Sequence, residues 1–372
     1  VVVNRLSGGT SDGSTAAAAT ESAGHSTSAA VTSTSANPAM PSPVAVPLHL
    51  VATTPDGSQP VSGAAPIVLT FNEPVTTTAT MPTIEPSTAG QWSQPSPGTL
   101  RFEPAVPFLP DTPVTVDVPA GMRAANGGVL ATATTVSYHV ADGSLLRLQQ
   151  LLAELRYLPL NFAPSTPEPN TAAAQGEMAF DPPAGDFAMR FPSTPQALAD
   201  LWTPNSLTPM TSGAIMAFEN VHHLKVDGLA GPAVWSALLQ DAVSTVTDPQ
   251  PYTWAWTTMS RPETLQIWSD GTFVFSSKAN TGIPAAPTPK GSWPVFARYR
   301  TQTMRGTNPD GTKYNDPGVP YISYFNGGDA IHGFQRASYG TQQSLGCVEL
   351  PYSAAAQVWN LIDYGTVVTV TS

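Results

Sequence analysis

Residues 344–350 have the sequence SLGCVEL and contain Cys347, the only cysteine among the 372 residues of the chain. His332 lies fifteen residues earlier, in the segment Ile331-His332-Gly333. A single thiol cannot form an internal disulfide and is a poor metal site, but beside a base it can act as a nucleophile. We therefore interpret Cys347 as a nucleophile and His332 as its base. The alternative is that Cys347 is a small buried apolar residue.

The region around this pair has the patterns of β-strands. Two apolar runs flank Asp270-Gly271, which predicts a hairpin over 265–275. Alternating or apolar runs predict further strands over 291–296 and 366–370, and an apolar face predicts a helix over 353–362. The sequence therefore predicts a β-rich C-terminal domain over 249–372.

Residues 264–371 resemble the L,D-transpeptidase catalytic domain of bacterial cell walls. Four landmarks carry the resemblance in order: Asn280-Thr281-Gly282, the segment PTPKGSW at 287–293, Ile331-His332-Gly333, and SLGC at 344–347. The resemblance implies that Cys347 attacks an amide carbonyl and that His332 takes the thiol proton. It also implies that the backbone carbonyl of Gly333 orients the imidazole. The N–H groups of Leu345, Gly346 and Cys347 would form the oxyanion hole.

The same resemblance implies a reaction. Cys347 would attack the peptide bond after the third residue of a tetrapeptide stem, form a thioester, and pass the acyl group to a second stem in a 3→3 cross-link. The implied partners are donor and acceptor stems of peptidoglycan, with carbapenem β-lactams as covalent inhibitors and no cofactor. Water as acceptor would give an L,D-carboxypeptidase, and a protein amine would anchor protein to the wall. An alternative of another class is a non-catalytic wall-binding protein.

Two positions depart from the family pattern. Leu345 stands where many relatives have His, and Glu349 stands where relatives often have Arg or Asn. We expect Glu349 to receive the acceptor ammonium group or to tolerate an amidated donor, while Arg336 holds a substrate carboxylate. The alternative is that Glu349 pairs with a scaffold residue. The remaining residues that we expect to bind substrate are Ser344, Tyr324 and Met304.

The first half of the chain predicts two further domains. Short strands at 66–71, 114–118 and 136–140 resemble a bacterial Ig-like β-sandwich over 47–142, which would be a spacer. Residues 143–248 have helical spacing and resemble the small peptidoglycan-binding domain.

Within the predicted helical domain, Ser212 is the expected cap of a helix over 213–219. Glu219 and His223 replace the usual Gln and Gly of the peptidoglycan-binding pattern, which leaves wall binding open. The Pro-rich passage 158–185 is either an ordered loop or a linker. Four tryptophans predict core and interdomain packing, with a sugar platform as the alternative: Trp254, Trp256, Trp268 and Trp293.

Composition limits the partners and the location. Charged residues are 11% of the chain, the formal net charge is −11, and no basic stripe is present, so nucleic acid is an unexpected partner. Residues 1–46 are rich in Ser, Thr and Ala and predict a disordered tether. The chain does not begin with Met, so we expect a signal peptide or a membrane anchor to have been removed and the protein to be exported to the cell wall. The expected fold class is multidomain and mainly β.

Overall fold

The structure is a computed structural model that describes residues 45–77 and 80–372. All but the last two residues of the expected tether, 1–46, lie outside the described residues. Within the described part, no helix is long and apolar enough to cross a membrane.

The described residues form eighteen strands and six helices. The strands are β1 (Leu50–Thr54), β2 (Ile67–Phe71), β3 (Thr83–Glu85), β4 (Gly90–Ser96), β5 (Thr99–Pro104), β6 (Pro113–Val118), β7 (Thr134–His139), β8 (Leu160–Pro164), β9 (Gly185–Met189), β10 (Thr253–Thr258), β11 (Thr264–Ser269), β12 (Thr272–Lys278), β13 (Gly291–Pro294), β14 (Ala297–Thr307), β15 (Lys313–Asn326), β16 (Asp329–Gly333), β17 (Val348–Leu350) and β18 (Val367–Thr371). The helices are α1 (Leu145–Glu154), α2 (Ala172–Met178), α3 (Gln196–Ala199), α4 (Pro209–Val221), α5 (Pro232–Ser244) and α6 (Tyr352–Leu361).

Strands β1–β7 form the expected β-sandwich. One sheet has the order β1-β2-β5-β4 and the other the order β3-β6-β7. The period-two pattern of β6 buries Val114, Val116 and Val118 between the sheets, while the intervening side chains face outward. The strand predicted over 114–118 is therefore confirmed as β6.

The helical region differs from the sequence expectation at the start of α4. The helix begins at Pro209 and is capped by Thr208, whose Oγ1 accepts the N–H of Thr211 at 3.2 Å. Ser212 lies inside the helix, so its prediction as the cap is wrong. Pro at the first helical position has a φ that already suits a helix and lacks an N–H that would be unpaired there.

The Pro-rich passage is ordered. Strands β8 and β9 pair antiparallel, and helix α2 lies between them in the chain. The side chain of Arg147 on α1 is fully buried, and its guanidinium donates to Glu168 at 2.7 and 3.0 Å. A buried charge requires such a partner, so this ion pair ties the passage to α1.

The C-terminal region contains two sheets with a shared core. One has the order β12-β11-β10-β18-β13 and the other the order β14-β15-β16-β17. The predicted hairpin is β11–β12, and the predicted helix is α6. The long antiparallel pair β14–β15 was not predicted, because Asp316, Pro317 and Pro320 interrupt the apolar alternation of β15.

Helix α4 packs against the C-terminal region. Gly213 approaches the backbone of Gly365 and the side chain of Val367. Trp254 and Trp268 are buried in the same apolar cluster as α1, α4 and α5, which favours packing for these two tryptophans over a sugar platform. The domain boundaries predicted at 142/143 and 248/249 fall between β7 and α1 and between α5 and β10, and they stay predictions.

Candidate active site

Cys347 and His332 are positioned by the parallel strands β16 and β17. His332 lies opposite Glu349 in the register, and Ile331 lies opposite Val348. Because side chains alternate between faces along a strand, Glu349 and His332 share one face of this strand pair. Cys347 directly precedes β17, and it lines the same cavity as these two residues. Ile331 and Val348 face the other way, into the apolar core. The strand pair therefore brings the predicted nucleophile and base to the same cavity.

This face forms the floor of an open cavity of about 440 Å³. Seven of the eight predicted site residues other than Gly333 and Gly346 line it. The eighth, Tyr324, packs against a small apolar cluster of Val319, Ile322 and Ala330. The lining residues are Met304, Asn308, Tyr314, Asp316, Gly328, Asp329, His332, Phe334, Arg336, Gln343, Ser344, Leu345, Cys347 and Glu349.

The imidazole of His332 is held in one tautomer by its neighbour. His332 is buried, and its Nδ1 lies 3.1 Å from the carbonyl oxygen of Gly333. A carbonyl oxygen only accepts hydrogen bonds, so Nδ1 carries the proton and Nε2 of the neutral ring is free to accept one. Burial lowers the pKa of His332 below its ordinary value, and the bond to Gly333 partly offsets this. At neutral pH, His332 is therefore a neutral base.

The thiol of Cys347 is protonated in the resting site. Burial raises its pKa to about 12, and the nearby carboxylates of Asp329 and Glu349 act in the same direction. The sulfur lies 3.8 Å from the carbonyl oxygen of Gly328. Since a thiol is a weak nucleophile, reaction at Cys347 requires a base to remove the proton as the new bond forms.

Hydrogen bonds inside the turn 344–347 involve two residues of the predicted site. Ser344 is buried, and its Oγ donates to the carbonyl oxygen of Cys347 at 2.6 Å and accepts the N–H of Gly346 at 3.3 Å. Ser344 lines the cavity and also braces the turn, and its expected contact with substrate stays a prediction. The N–H of Gly346, expected in the oxyanion hole, is directed at Ser344, because the Ser344 hydroxyl forms its hydrogen bonds inside the turn.

Arg336 and Glu349 form one ion pair. The Nε and Nη2 atoms of Arg336 donate to the two carboxylate oxygens of Glu349 at 2.8 and 2.7 Å. Glu349 is buried, and Nη2 also donates to the carbonyl oxygen of Gln343 at 3.2 Å. The sequence expectation assigned the two side chains to different parts of the substrate. In the structure each is the other's partner, because a buried carboxylate needs a cation close by.

Met304 lies on β14 and Tyr324 on β15, in the same sheet as β16. Both pack with Cys347 against a small apolar cluster. The hydroxyl of Tyr324 donates to Gln302 at 3.0 Å, and burial raises the pKa of Tyr324 above its ordinary value. Their position beside the thiol agrees with contact to a donor stem, which stays a prediction.

Sequence reasoning missed two carboxylates of the cavity. Asp316 lies on β15, and Asp329 begins β16. Burial raises the pKa of Asp329, and Asn326 donates to it at 3.3 Å. Asp329 is adjacent to the IHG segment and could have been found there. Asp316 gave no signal, because only the fold of the β14–β15 pair brings it to the cavity.

Comparison with known families defines two parts of the chain. Residues 255–370 match the family model of the L,D-transpeptidase catalytic domain, and residues 44–140 match that of a bacterial Ig-like domain. The C-terminal region is thus a catalytic domain of a class of enzymes that act on peptidoglycan. The chain carries an L,D-transpeptidase catalytic domain preceded by a bacterial Ig-like domain.

Three solved L,D-transpeptidase structures show similarity to this chain. An L,D-transpeptidase from Mycobacterium smegmatis is 13% identical over 88% of this chain and 100% of its own, with a TM-score of 0.30. L,D-transpeptidase 3 from Mycobacterium tuberculosis, solved with a faropenem-derived adduct, is 14% identical over 87% and 98%, with a TM-score of 0.30. The catalytic domain of an Enterococcus faecium L,D-transpeptidase is 27% identical over 33% and 99%, with a TM-score of 0.30. Comparison with curated proteins gave no match.

Proposed function

We propose that this protein is an exported L,D-transpeptidase that forms 3→3 cross-links in peptidoglycan through a thioester on Cys347. One observation carries the proposal: Cys347 and the neutral base His332 line the same cavity beside two parallel strands, inside the matched domain. A non-catalytic wall-binding protein would not need a thiol and an oriented imidazole at the same cavity.

In the first step, Cys347 becomes acylated. The sulfur attacks the carbonyl carbon after the third residue of a donor stem, while Nε2 of His332 takes the thiol proton. The C–S bond forms, the C–N bond breaks, and the imidazolium returns its proton to the leaving amine of the terminal residue. The backbone N–H groups of Cys347 and Leu345 are the proposed donors to the oxyanion.

In the second step, the acceptor amine attacks the thioester. A new amide C–N bond forms, the C–S bond breaks, and the sulfur leaves with the proton that the amine releases through His332. Among the described residues that line the cavity, Arg336 is the only cation, and it is paired with Glu349. With Asp316, Asp329 and Glu349, three carboxylates line the cavity against this one cation, which favours a cationic amine as acceptor.

The remaining regions support a position in the wall. We propose that the Ig-like domain and the helical region 143–248 hold the catalytic domain away from the membrane. The resemblance of the helical region to a peptidoglycan-binding domain stays a prediction, and so does the tether over 1–46. Hydrolysis of the thioester by water, or its transfer to a protein amine, would change the product and leave the acylation step as described.

The test of the acylation step is intact-mass spectrometry after incubation with a carbapenem. The wild-type protein should gain one adduct, located on Cys347, and Cys347→Ala should gain none while keeping its melting temperature. His332→Ala should acylate about 10² to 10⁴ times more slowly, because the neutral base is lost. His223→Ala is the matched control, since His223 lies exposed in the turn after α4. Acylation of Cys347→Ala at the wild-type rate would contradict the proposal.

The test of the acceptor is product analysis on a disaccharide-tetrapeptide. A cross-linked dimer with release of the terminal residue supports transpeptidation. A shortened monomer as the sole product would show a carboxypeptidase instead.

A further inference from the structure

We propose that Thr288 is a positioning residue: its hydroxyl holds the peptide unit between Gly346 and Cys347 so that the Cys347 N–H points into the cavity. The inference rests on the proposed function, because it concerns the oxyanion of the acylation step. Thr288 itself is buried and does not line the cavity.

The direction of the hydrogen bonds at Thr288 is determined by its partners. The N–H of Gly282 donates to Thr288 Oγ1 at 2.8 Å. Thr288 Oγ1 also lies 2.8 Å from the carbonyl oxygen of Gly346. A hydroxyl has one proton and can accept further bonds, an N–H can only donate, and a carbonyl oxygen can only accept. Thr288 therefore accepts from Gly282 and gives its single proton to Gly346.

The bond to Gly346 also orients Cys347. In a trans peptide, the C=O of one residue and the N–H of the next point in opposite directions. The peptide bond between Gly346 and Cys347 is trans, since the cis bonds in the described residues all precede proline. With the Gly346 carbonyl directed at Thr288, the Cys347 N–H points away from Thr288, toward the cavity side.

A regular strand would place this N–H elsewhere. Two residues later, the N–H of Glu349 donates to the carbonyl oxygen of Asn280 at 2.9 Å. Asn280 belongs to the segment 280–288, which also contains Thr288, so this N–H points to the Thr288 side. Strand alternation would direct the Cys347 N–H to that same side. Instead, the carbonyl group of Gly346 points to that side, so the peptide unit between Gly346 and Cys347 is reversed relative to the strand that follows. The reversal uses φ +118° at Gly346, which favours glycine.

The surrounding backbone is built to keep Thr288 in place. A Cβ on Gly282 would collide with the backbone of Ala286 and Thr288, so glycine permits the close approach that makes the first hydrogen bond. On the other side of the nucleophile, Ser344 Oγ holds the Cys347 carbonyl at 2.6 Å. Two buried hydroxyls thus fix the peptide units before and after Cys347.

The test compares two reactions of the same thiol. Acylation by a carbapenem develops an oxyanion, whereas alkylation by iodoacetamide forms a C–S bond and expels iodide without one. Thr288→Val and Thr288→Ala should slow acylation about 10- to 100-fold, less than the roughly 10²- to 10³-fold loss on removing an oxyanion donor outright, because the Cys347 N–H itself remains. Their alkylation rates should stay within about twofold of wild type. Thr288→Ser, which keeps the hydroxyl, should restore acylation.

Thr257→Val is the matched control. Thr257 is a buried threonine of β10 whose hydroxyl has no hydrogen-bond partner among the described residues, so both reactions should continue at wild-type rates. Equal loss of both reactions in the Thr288 variants, or loss of neither, overturns the inference and leaves the proposed function intact if the wild-type protein acylates. Failure of the wild-type protein to acylate overturns both.

A measurement on the wild-type protein does not depend on whether a variant folds. The Cys347 amide proton, which faces the cavity, should exchange with solvent faster than that of Glu349, which is hydrogen-bonded to Asn280. Protection of Cys347 equal to that of Glu349 would overturn the proposed orientation.

Discussion

At the scale of single residues, burial acts on Cys347 and His332 in opposite directions. It raises the pKa of the thiol to about 12 and lowers the pKa of the imidazole, since each group is favoured in its neutral form. The resting site therefore holds a neutral thiol and a neutral imidazole rather than a preformed ion pair. The thiolate forms only as His332 takes the proton.

This arrangement predicts the pH dependence of acylation. His332 must be unprotonated, and its pKa lies below 6.5, so the rate should rise with pH in the acidic range and reach a plateau by about pH 7. The plateau should continue past pH 8.5, because the thiol does not ionise on its own there. The measurement is the carbapenem acylation rate from pH 5 to 9.5. A rise centred near pH 8.5, as for a free thiol, would contradict the prediction.

The ion pair of Arg336 and Glu349 makes a second prediction at this scale. Arg336→Met leaves the buried carboxylate of Glu349 without its cation and should destabilise the protein by about 3–5 kcal/mol. The double variant Arg336→Met/Glu349→Gln should recover part of this loss, because the uncompensated charge is gone. Urea unfolding of the wild type, of the single variants Arg336→Met and Glu349→Gln, and of the double variant gives the coupling free energy. Additive effects would show that the pair contributes nothing.

At the scale of elements, the turn between α4 and α5 depends on a buried carboxyl. Oε2 of Glu219 accepts the N–H groups of Asp227 and Gly228 at 2.9 Å each. Its Oε1 has no partner among the described residues. Burial raises the pKa of Glu219 to about 7 despite these bonds. The residue that departs from the peptidoglycan-binding pattern thus closes the turn between the two helices.

The raised pKa predicts a pH-dependent stability. The folded state holds the Glu219 proton more tightly than the unfolded state, so the contribution is present below about pH 4.5 and is lost as pH rises to about 7. Glu219→Gln removes this loss and should raise the melting temperature at pH 8, by an amount equivalent to roughly 1–3 kcal/mol, but not at pH 4.5. Glu177→Gln, at an exposed site on α2, is the control. An equal effect at both pH values would disprove the prediction.

At the scale of the whole molecule, the helical region and the catalytic domain share an apolar core. Trp254 and Trp268 belong to the catalytic domain's sheet, yet they are buried in the cluster that contains α1, α4 and α5. Phe191 of the helical region packs edge-on against Trp268 with 5.4 Å between ring centroids. Separation of the two regions would expose both indoles to water.

A pair of fragments tests this shared core. Residues 249–372 alone should melt at least about 10 °C below the full chain and bind an apolar dye, because the faces of Trp254 and Trp268 are uncovered. Residues 143–372 keep the helical partner and should melt within a few degrees of the full chain. Calorimetry and dye fluorescence measure both effects. Equal melting of the two fragments would show that the catalytic domain is stable on its own.

Local sequence patterns were sufficient for much of this architecture. The pattern over 114–118 predicted β6, Asp270-Gly271 predicted the β11–β12 hairpin, and the IHG and SLGC segments pointed to His332 and Cys347. The strand and hairpin patterns depend only on residues that are close in the chain. The IHG and SLGC segments contain the residue types that the reaction requires. The long β14–β15 pair escaped because prolines and charges break its alternation, although cross-strand hydrogen bonds still form.

The tertiary structure alone decided which side chains meet. It paired Arg336 with Glu349, turned Ser344 inward to brace the nucleophile's turn, and brought Asp316 to the cavity. It also joined Thr288 to Gly346 across 58 residues of chain. A hydrogen bond or ion pair requires two groups within about 3 Å. For residues far apart in the chain, that distance follows from the packing of the strands and is not encoded in either local segment.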